Sequence, residues 1–219
     1  MHAHDDSDAS RRASIVDASR ALVAHDLNVV IEGNVSVRDE DGFLITPTGV
    51  TPERLEADMI VPLDADGAVR SGSWKPSSEW MMHAAAYAVR DDAGAIVHTH
   101  STHATALACL GQGIPPFHYM VAVGGGDTIP CTPYATFGSA ALAELAAEAL
   151  RDRNACLLGN HGVLALAADI DGALVLARYV EELARQYLAA LSAGTPRLLD
   201  AGEMALVLEK FTTYGKQDD

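Results

Sequence analysis

The chain has 219 residues, enough for one large domain or two small ones, and 49% are hydrophobic, too many for a disordered chain. Its 15 Lys and Arg face 30 Asp and Glu; the net charge of −15 disfavours nucleic acid and anionic membrane as partners and reads as a solubilising surface. No apolar run reaches the ~18–20 residues of a membrane span, and the polar start MHAHDDSDASRR lacks the apolar block of a secretory signal, so a cytoplasmic location is expected.

Residues 1–9 read as a tail. A helix is expected over 10–26, with Ile15, Ala18, Leu22 and Val23 on one face. VVIEGNVSVR then alternates, with Gly33-Asn34 as a turn signal, and runs through DEDG into FLIT: a strand, a turn and a second strand. PSSEWMMHAAAYAVR (76–90) places Trp80, Ala84 and Tyr87 at helical spacing, in a helix starting near Ser77–Glu79. AIVHTH (95–100) is short and β-branched and predicts a buried strand. GSAALAELAAEALRDR (138–153) predicts a helix, and ACLLGNHGVLAL (155–166) predicts two strand arms around Gly159–Gly162. Residues 169–192 form a long helix with a stripe of Leu176, Val180, Leu183, Tyr187 and Leu191. Asp200 and Glu203 have the spacing of a capping box before a last helix containing VLEKF. No repeat or linker interrupts the chain, so one α/β domain over 1–219 is expected, with a mixed or antiparallel sheet between helical layers. Cys109, Cys131 and Cys156 are odd in number, far apart and without a C-x-x-C, the pattern of reduced thiols.

The chemistry concentrates in IVHTHSTHATALA (96–108). On a strand, His98 and His100 project from one face about 7 Å apart along the backbone, so their ring nitrogens can converge on one ion. His103 has the wrong parity and falls past the strand end. His161, in Gly159-Asn160-His161-Gly162, is the best third ligand, because small neighbours let backbone approach a site closely. His2, His4, His25, His83 and His118 each stand apart and read as ordinary polar residues. Three imidazoles leave an open position on zinc, the catalytic rather than the structural arrangement. Such a site needs a proton-transfer group, and Glu79 follows two serines at a helix start. Free N–H groups there, with the hydroxyls of Ser77 and Ser78, suit an anion. The turns at Gly33-Asn34 and Thr46-Pro47-Thr48-Gly49 supply further donors. Together with the serines they make a neutral phosphate pocket, although each alone can be a plain turn.

GNVSVR, LITPTG, PSSEW, VHTHSTH, HYM, IPCTPYATFG, NHG and LEKFTTYG, in that order, resemble the class II sugar-phosphate aldolases over nearly the whole chain. The resemblance implies a central, mostly antiparallel sheet flanked by helices, a homotetramer with active sites at subunit contacts, and one Zn2+ per subunit. It implies His98, His100 and His161 as zinc ligands, with Glu79 as general base and as a ligand before substrate arrives. It puts Gly33, Asn34, Thr48, Gly49, Ser77 and Ser78 on the substrate phosphate, Tyr119 at the aldehyde end from a neighbouring subunit, and Phe137 and Tyr214 in the aldehyde pocket. Asn160 and the short KQDD tail depart from the family pattern. The expected reaction is reversible cleavage of a ketose 1-phosphate, L-fuculose 1-phosphate or a related ketopentose 1-phosphate, to dihydroxyacetone phosphate and a small aldehyde. A sugar-phosphate 4-epimerase or methylthioribulose-phosphate dehydratase of the same fold, a metal-dependent hydrolase and a non-catalytic interaction module are the alternatives.

Overall fold

A computed structural model describes residues 7–213. Helix α1 (Asp8–Ala24) starts inside the stretch expected to be a tail. Two local contacts explain the early start: Ser7 Oγ accepts from the N–H of Ser10, and Arg12 pairs with Asp8 at 2.6 Å, one turn away. The chain leaves α1 at His25 and turns at Asp26, whose φ is +56°. Residues 29–31 do not open the first strand. They form an exposed turn with Val30 at φ +58°. Their alternation is misleading because pairing begins only after Gly33, at the Asn34–His98 partners.

Strands β1 (Asn34–Asp39) and β2 (Gly42–Ile45) form a hairpin closed by Glu40-Asp41. The remaining elements are β3 (Val61–Asp64), α2 (Trp80–Val89), β4 (Ala95–Thr99), α3 (Thr102–Cys109), β5 (Cys131–Thr132), α4 (Ala140–Leu150), β6 (Ala155–Leu158), β7 (Gly162–Ala167), α5 (Ile170–Ala193) and α6 (Ala201–Phe211). The seven strands make one sheet in the order β3-β2-β1-β4-β7-β6-β5. Every neighbouring pair is antiparallel except β5 with β6.

Helices cover both faces. On one, Ile15 and Leu22 of α1, Leu107 of α3 and Val180 of α5 pack on Val35, Val97 and Val163. On the other, Met82 and Tyr87 of α2 and Leu142 of α4 pack on Phe43, Ile96 and Leu164. Strand β4 lies at the centre, and all five of its residues are buried. Side chains on a strand alternate, so Val97 points into the first core while Ile96 and His98 point toward α2. Burying an aliphatic side chain of this size stabilises the fold by roughly 1.5–3 kcal/mol, so both faces hold β4 firmly. No helix among the described residues is long and apolar enough to cross a membrane.

Candidate metal centre and active site

His98 is buried near the end of β4, and His100 follows just past the strand. His161 arrives on the turn between β6 and β7. That turn is tight: Asn160 sits at φ +54°, a conformation Asn tolerates better than most residues. A Cβ on Gly162 would lie 2.3 Å from the carbonyl oxygen of Thr99, so only glycine lets the hairpin pass this close to the end of β4. The small residues around His161 thus bring it to the other two rings.

The three rings stand nearly edge-on to one another. Their centroids are 4.8, 4.8 and 4.9 Å apart, and the interplanar angles run from 74° to 84°. Nε2 of His98 is 3.0 Å from Nε2 of His100. The carboxylate of Glu79 joins them, Oε2 at 3.2 Å from His98 Nε2 and Oε1 at 3.1 Å from His161 Nε2. One ligand atom from each of the four residues lies within 4.8 Å of the others.

The protons test whether a cation fits. His98 Nδ1 is 2.8 Å from the carbonyl oxygen of Val163, which only accepts, so Nδ1 carries a hydrogen. In the neutral ring Nε2 then presents a lone pair to His100 Nε2 and to an anionic carboxylate. Burial works against a charge on His98, but the Glu79 carboxylate outweighs it and raises its pKa. For His100, burial and then the neighbouring His98 and His161 push the pKa down to about 3. Burial also opposes the charge on Glu79, yet His98 and His161 together hold its carboxyl far below the usual range. Oε1 of Glu79 and Nδ1 of His161 are buried and make no hydrogen bond among the described residues. Three imidazole nitrogens and a carboxylate converging on one centre are the donor set of a divalent metal.

Three segments expected around a phosphate also meet. Thr46 donates its N–H to the carbonyl of Val35 (3.1 Å), and Ser77 donates its N–H to the carbonyl of Thr46 (2.9 Å). Thr48 donates its N–H to the carbonyl of Lys75 at 3.0 Å, so the turns 46–49 and 75–79 are zipped together. Gly33 has φ +73°, and a Cβ there would sit 2.2 Å from Asn28 Nδ2 and 2.5 Å from the carbonyl oxygen of His98. Thr48, Gly49 and Ser78 are exposed. Asn34 and Ser77 are buried, with their side chains turned to Glu79. Asn34 Nδ2 donates to Oε2 of Glu79 (2.9 Å), and Ser77 Oγ accepts from the N–H of Glu79 (3.3 Å). Ser77 keeps its hydroxyl hydrogen free to donate, whereas the Asn34 amide is engaged by Glu79.

Glu79, His100 and His161 open onto a cleft of about 260 Å3, bordered by Ser78, Tyr134 and Phe137. Phe137 lies on its rim and is 65% exposed. Tyr134 is a rim aromatic that the sequence reading passed over, although it lies in the same segment, CTPYATFG. Tyr119 is exposed, stacks on His118 at 4.8 Å, and is not among the residues lining this cleft. Tyr214, like His2 and His4, lies outside the described residues. His103 lies past the end of β4, on α3, where Glu181 accepts from its backbone N–H and contacts Nδ1 at 2.7 Å, apart from the cluster of the other three histidines. Asn28, also missed, accepts from the N–H of His100 at 2.9 Å.

The sheet with its central histidines and buried acid defines a metal-dependent enzyme. The family profile described as "Class II Aldolase and Adducin N-terminal domain" matches residues 13–188. A 5-methylthioribulose-1-phosphate/5-deoxyribulose-1-phosphate aldolase of Rhodospirillum rubrum is 48% identical over 204 residues, 93% of this chain and 92% of the relative. An L-fuculose phosphate aldolase of Escherichia coli (strain K12) is 48% identical over 202 residues, 92% of this chain and 94% of the relative. A solved L-fuculose 1-phosphate aldolase has a TM-score of 0.90 at 39% identity, covering 96% of this chain and 100% of that one. The chain belongs to the class II aldolase family, and its reaction class is that of an aldehyde-lyase.

Proposed function

We propose that the protein reversibly cleaves a ketose 1-phosphate to dihydroxyacetone phosphate and a small aldehyde, with Zn2+ as its metal. The observation that carries the reading is Glu79. Its carboxylate touches two of the three converging histidines, is held ionised, and opens onto the cleft. His98, His100, His161 and Glu79 are the residues that would hold the ion. Lewis-acid polarisation of the carbonyl and adjacent hydroxyl is the chemistry a bound zinc supplies. In cleavage, Glu79 returns a proton to the carbon freed by breaking C3–C4; in synthesis it removes that proton. Gly33, Asn34, Thr48, Gly49, Ser77 and Ser78 orient the phosphate end, so remote binding energy aligns the reacting carbons. Phe137 and Tyr214 border the aldehyde. Tyr119 protonates the new alkoxide from a neighbouring subunit of a homotetramer in the cytoplasm.

The relatives named above carry fuculose and methylthioribulose or deoxyribulose phosphates in their names at the same 48% identity, so identity alone does not choose the aldehyde. The test is a panel of these ketose 1-phosphates with a coupled readout of triose phosphate. Triose release from at least one supports the aldolase reading. Conversion to an isomer with no free triose would establish a 4-epimerase instead, and loss of water would establish a dehydratase.

A further inference from the structure

Behind the metal centre a line of polar groups runs through the core between β1 and α2. His83 is fully buried, one helical turn after Glu79. Its Nε2 is 2.5 Å from Asn34 Oδ1, and its Nδ1 is 2.7 Å from Ser36 Oγ. Ser36 Oγ is in turn 2.9 Å from the hydroxyl of Tyr87. Asn34 closes the line onto Glu79 Oε2 at 2.9 Å. Asn34, Ser36 and His83 are all buried, as is Tyr87, beneath the guanidinium of Arg38, 4.6 Å above its ring.

The element geometry makes this line possible. Asn34 and Ser36 stand two apart on one face of β1, a span of ~6.6–6.8 Å. His83 and Tyr87 stand four apart on α2, a span of ~6.0 Å. The two spacings nearly match, so each strand residue meets a helix residue.

The direction of every hydrogen bond is determined from one end. An ionised Glu79 only accepts, so Asn34 presents its Nδ2 to it and turns Oδ1 toward His83. Oδ1 only accepts, so His83 carries its hydrogen on Nε2. Burial keeps the ring neutral, pushing its pKa down to about 3, so Nδ1 accepts from the hydroxyl of Ser36. Ser36 then accepts from Tyr87. The line is a one-way series of donors ending on the carboxylate.

We propose that His83 is a positioning residue for Glu79: as the Nε2–H tautomer it locks the amide of Asn34, which in turn fixes Oε2 of the acid. The inference rests on the proton-transfer role given to Glu79. Without His83 the amide oxygen of Asn34 loses the donor that anchors it, so the amide can swing away and leave Oε2 of the acid unheld.

The tests separate positioning from packing. His83→Leu should lower kcat about 10–100-fold, as supporting partners of metal sites do, with KM and bound metal near wild-type values. His83→Gln, whose amide restores a donor toward Asn34, should recover most of that loss. Thermal unfolding of both variants reports stability. Long-range 15N–1H NMR of histidine-labelled wild-type protein should show His83 as the Nε2–H tautomer, and this needs neither substrate nor a stable variant. An Nδ1–H tautomer, unchanged kcat in His83→Leu, or kcat and metal content falling together would overturn the proposal. The Glu79 reading fails separately, if Glu79→Gln retains turnover whatever the tautomer of His83.

Discussion

Replacing Glu79 by Gln keeps the shape of the side chain and a partner for Asn34 Nδ2 but removes the charge beside His98 and His161. Turnover should fall about 10²–10⁴-fold, the usual worth of general acid–base help, while elemental analysis still finds metal. Near-normal rates would take the proton-transfer role away from this residue. His161→Ala removes a nitrogen and leaves Glu79 Oε1 without its neighbour, so metal stoichiometry should drop; full occupancy would exclude His161 as a ligand. The convergence of His98 and His100 was legible because two positions in nearly extended chain is a local spacing, and that of His161 because its flanking glycines mark a close approach. His83 was not. It is a lone histidine among apolar helix residues, and its partner Asn34 lies 49 positions away in sequence, so only the folded register exposes its role.

Gly33 and Gly49 share the same φ of +73° but not the same surroundings. Gly49→Ala meets nothing within 4 Å, so it should cost only the backbone strain, about 1–2 kcal/mol. Gly33→Ala must also displace Asn28 and the backbone of β4 at His98, and a loss of roughly 3 kcal/mol or more is expected. Equal unfolding midpoints for the two variants in urea would refute this. The long helices were readable from their stripes, and the arms of the β6–β7 hairpin from their apolar runs. Strands β3 and β5 were not: one carries Pro62, the other has only two residues, and both take their place from neighbouring strands. Helix α3 also escaped, because Glu181 of α5 accepts from the N–H groups of His103 and Ala104 at its start, a cap supplied from far along the chain.

For the whole molecule, burial lowers the pKa of His83 from 6.5 to about 3, while the neighbouring imidazoles overcome burial and lower that of Glu79 from 4.5. A depressed pKa gives stability that is present above the unfolded value and lost as pH falls toward the folded value. For His83 that window runs from about 6.5 down to about 3, with a slope of up to about 1.4 kcal/mol per pH unit. His98, raised by Glu79, has the opposite sign and offsets part of the loss. Metal-stripped protein should therefore show urea midpoints that fall on acidification through this window, and fall less steeply in His83→Leu; parallel curves would contradict the buried neutral ring. Tyr119 is exposed and does not line the cleft of its own chain, which fits the role proposed for it from a second subunit. Co-assembling inactive Glu79→Gln with inactive Tyr119→Phe should restore activity well above either parent, and no recovery would confine each site to one chain. The three imidazoles sit on or beside the ends of the middle strands and the acid at the start of α2, whereas Tyr134 and Phe137 ride on a connecting segment at the rim. Two paralogues can thus diverge in the aldehyde they release by rewriting a few rim codons, each inheriting intact the machinery that breaks the bond.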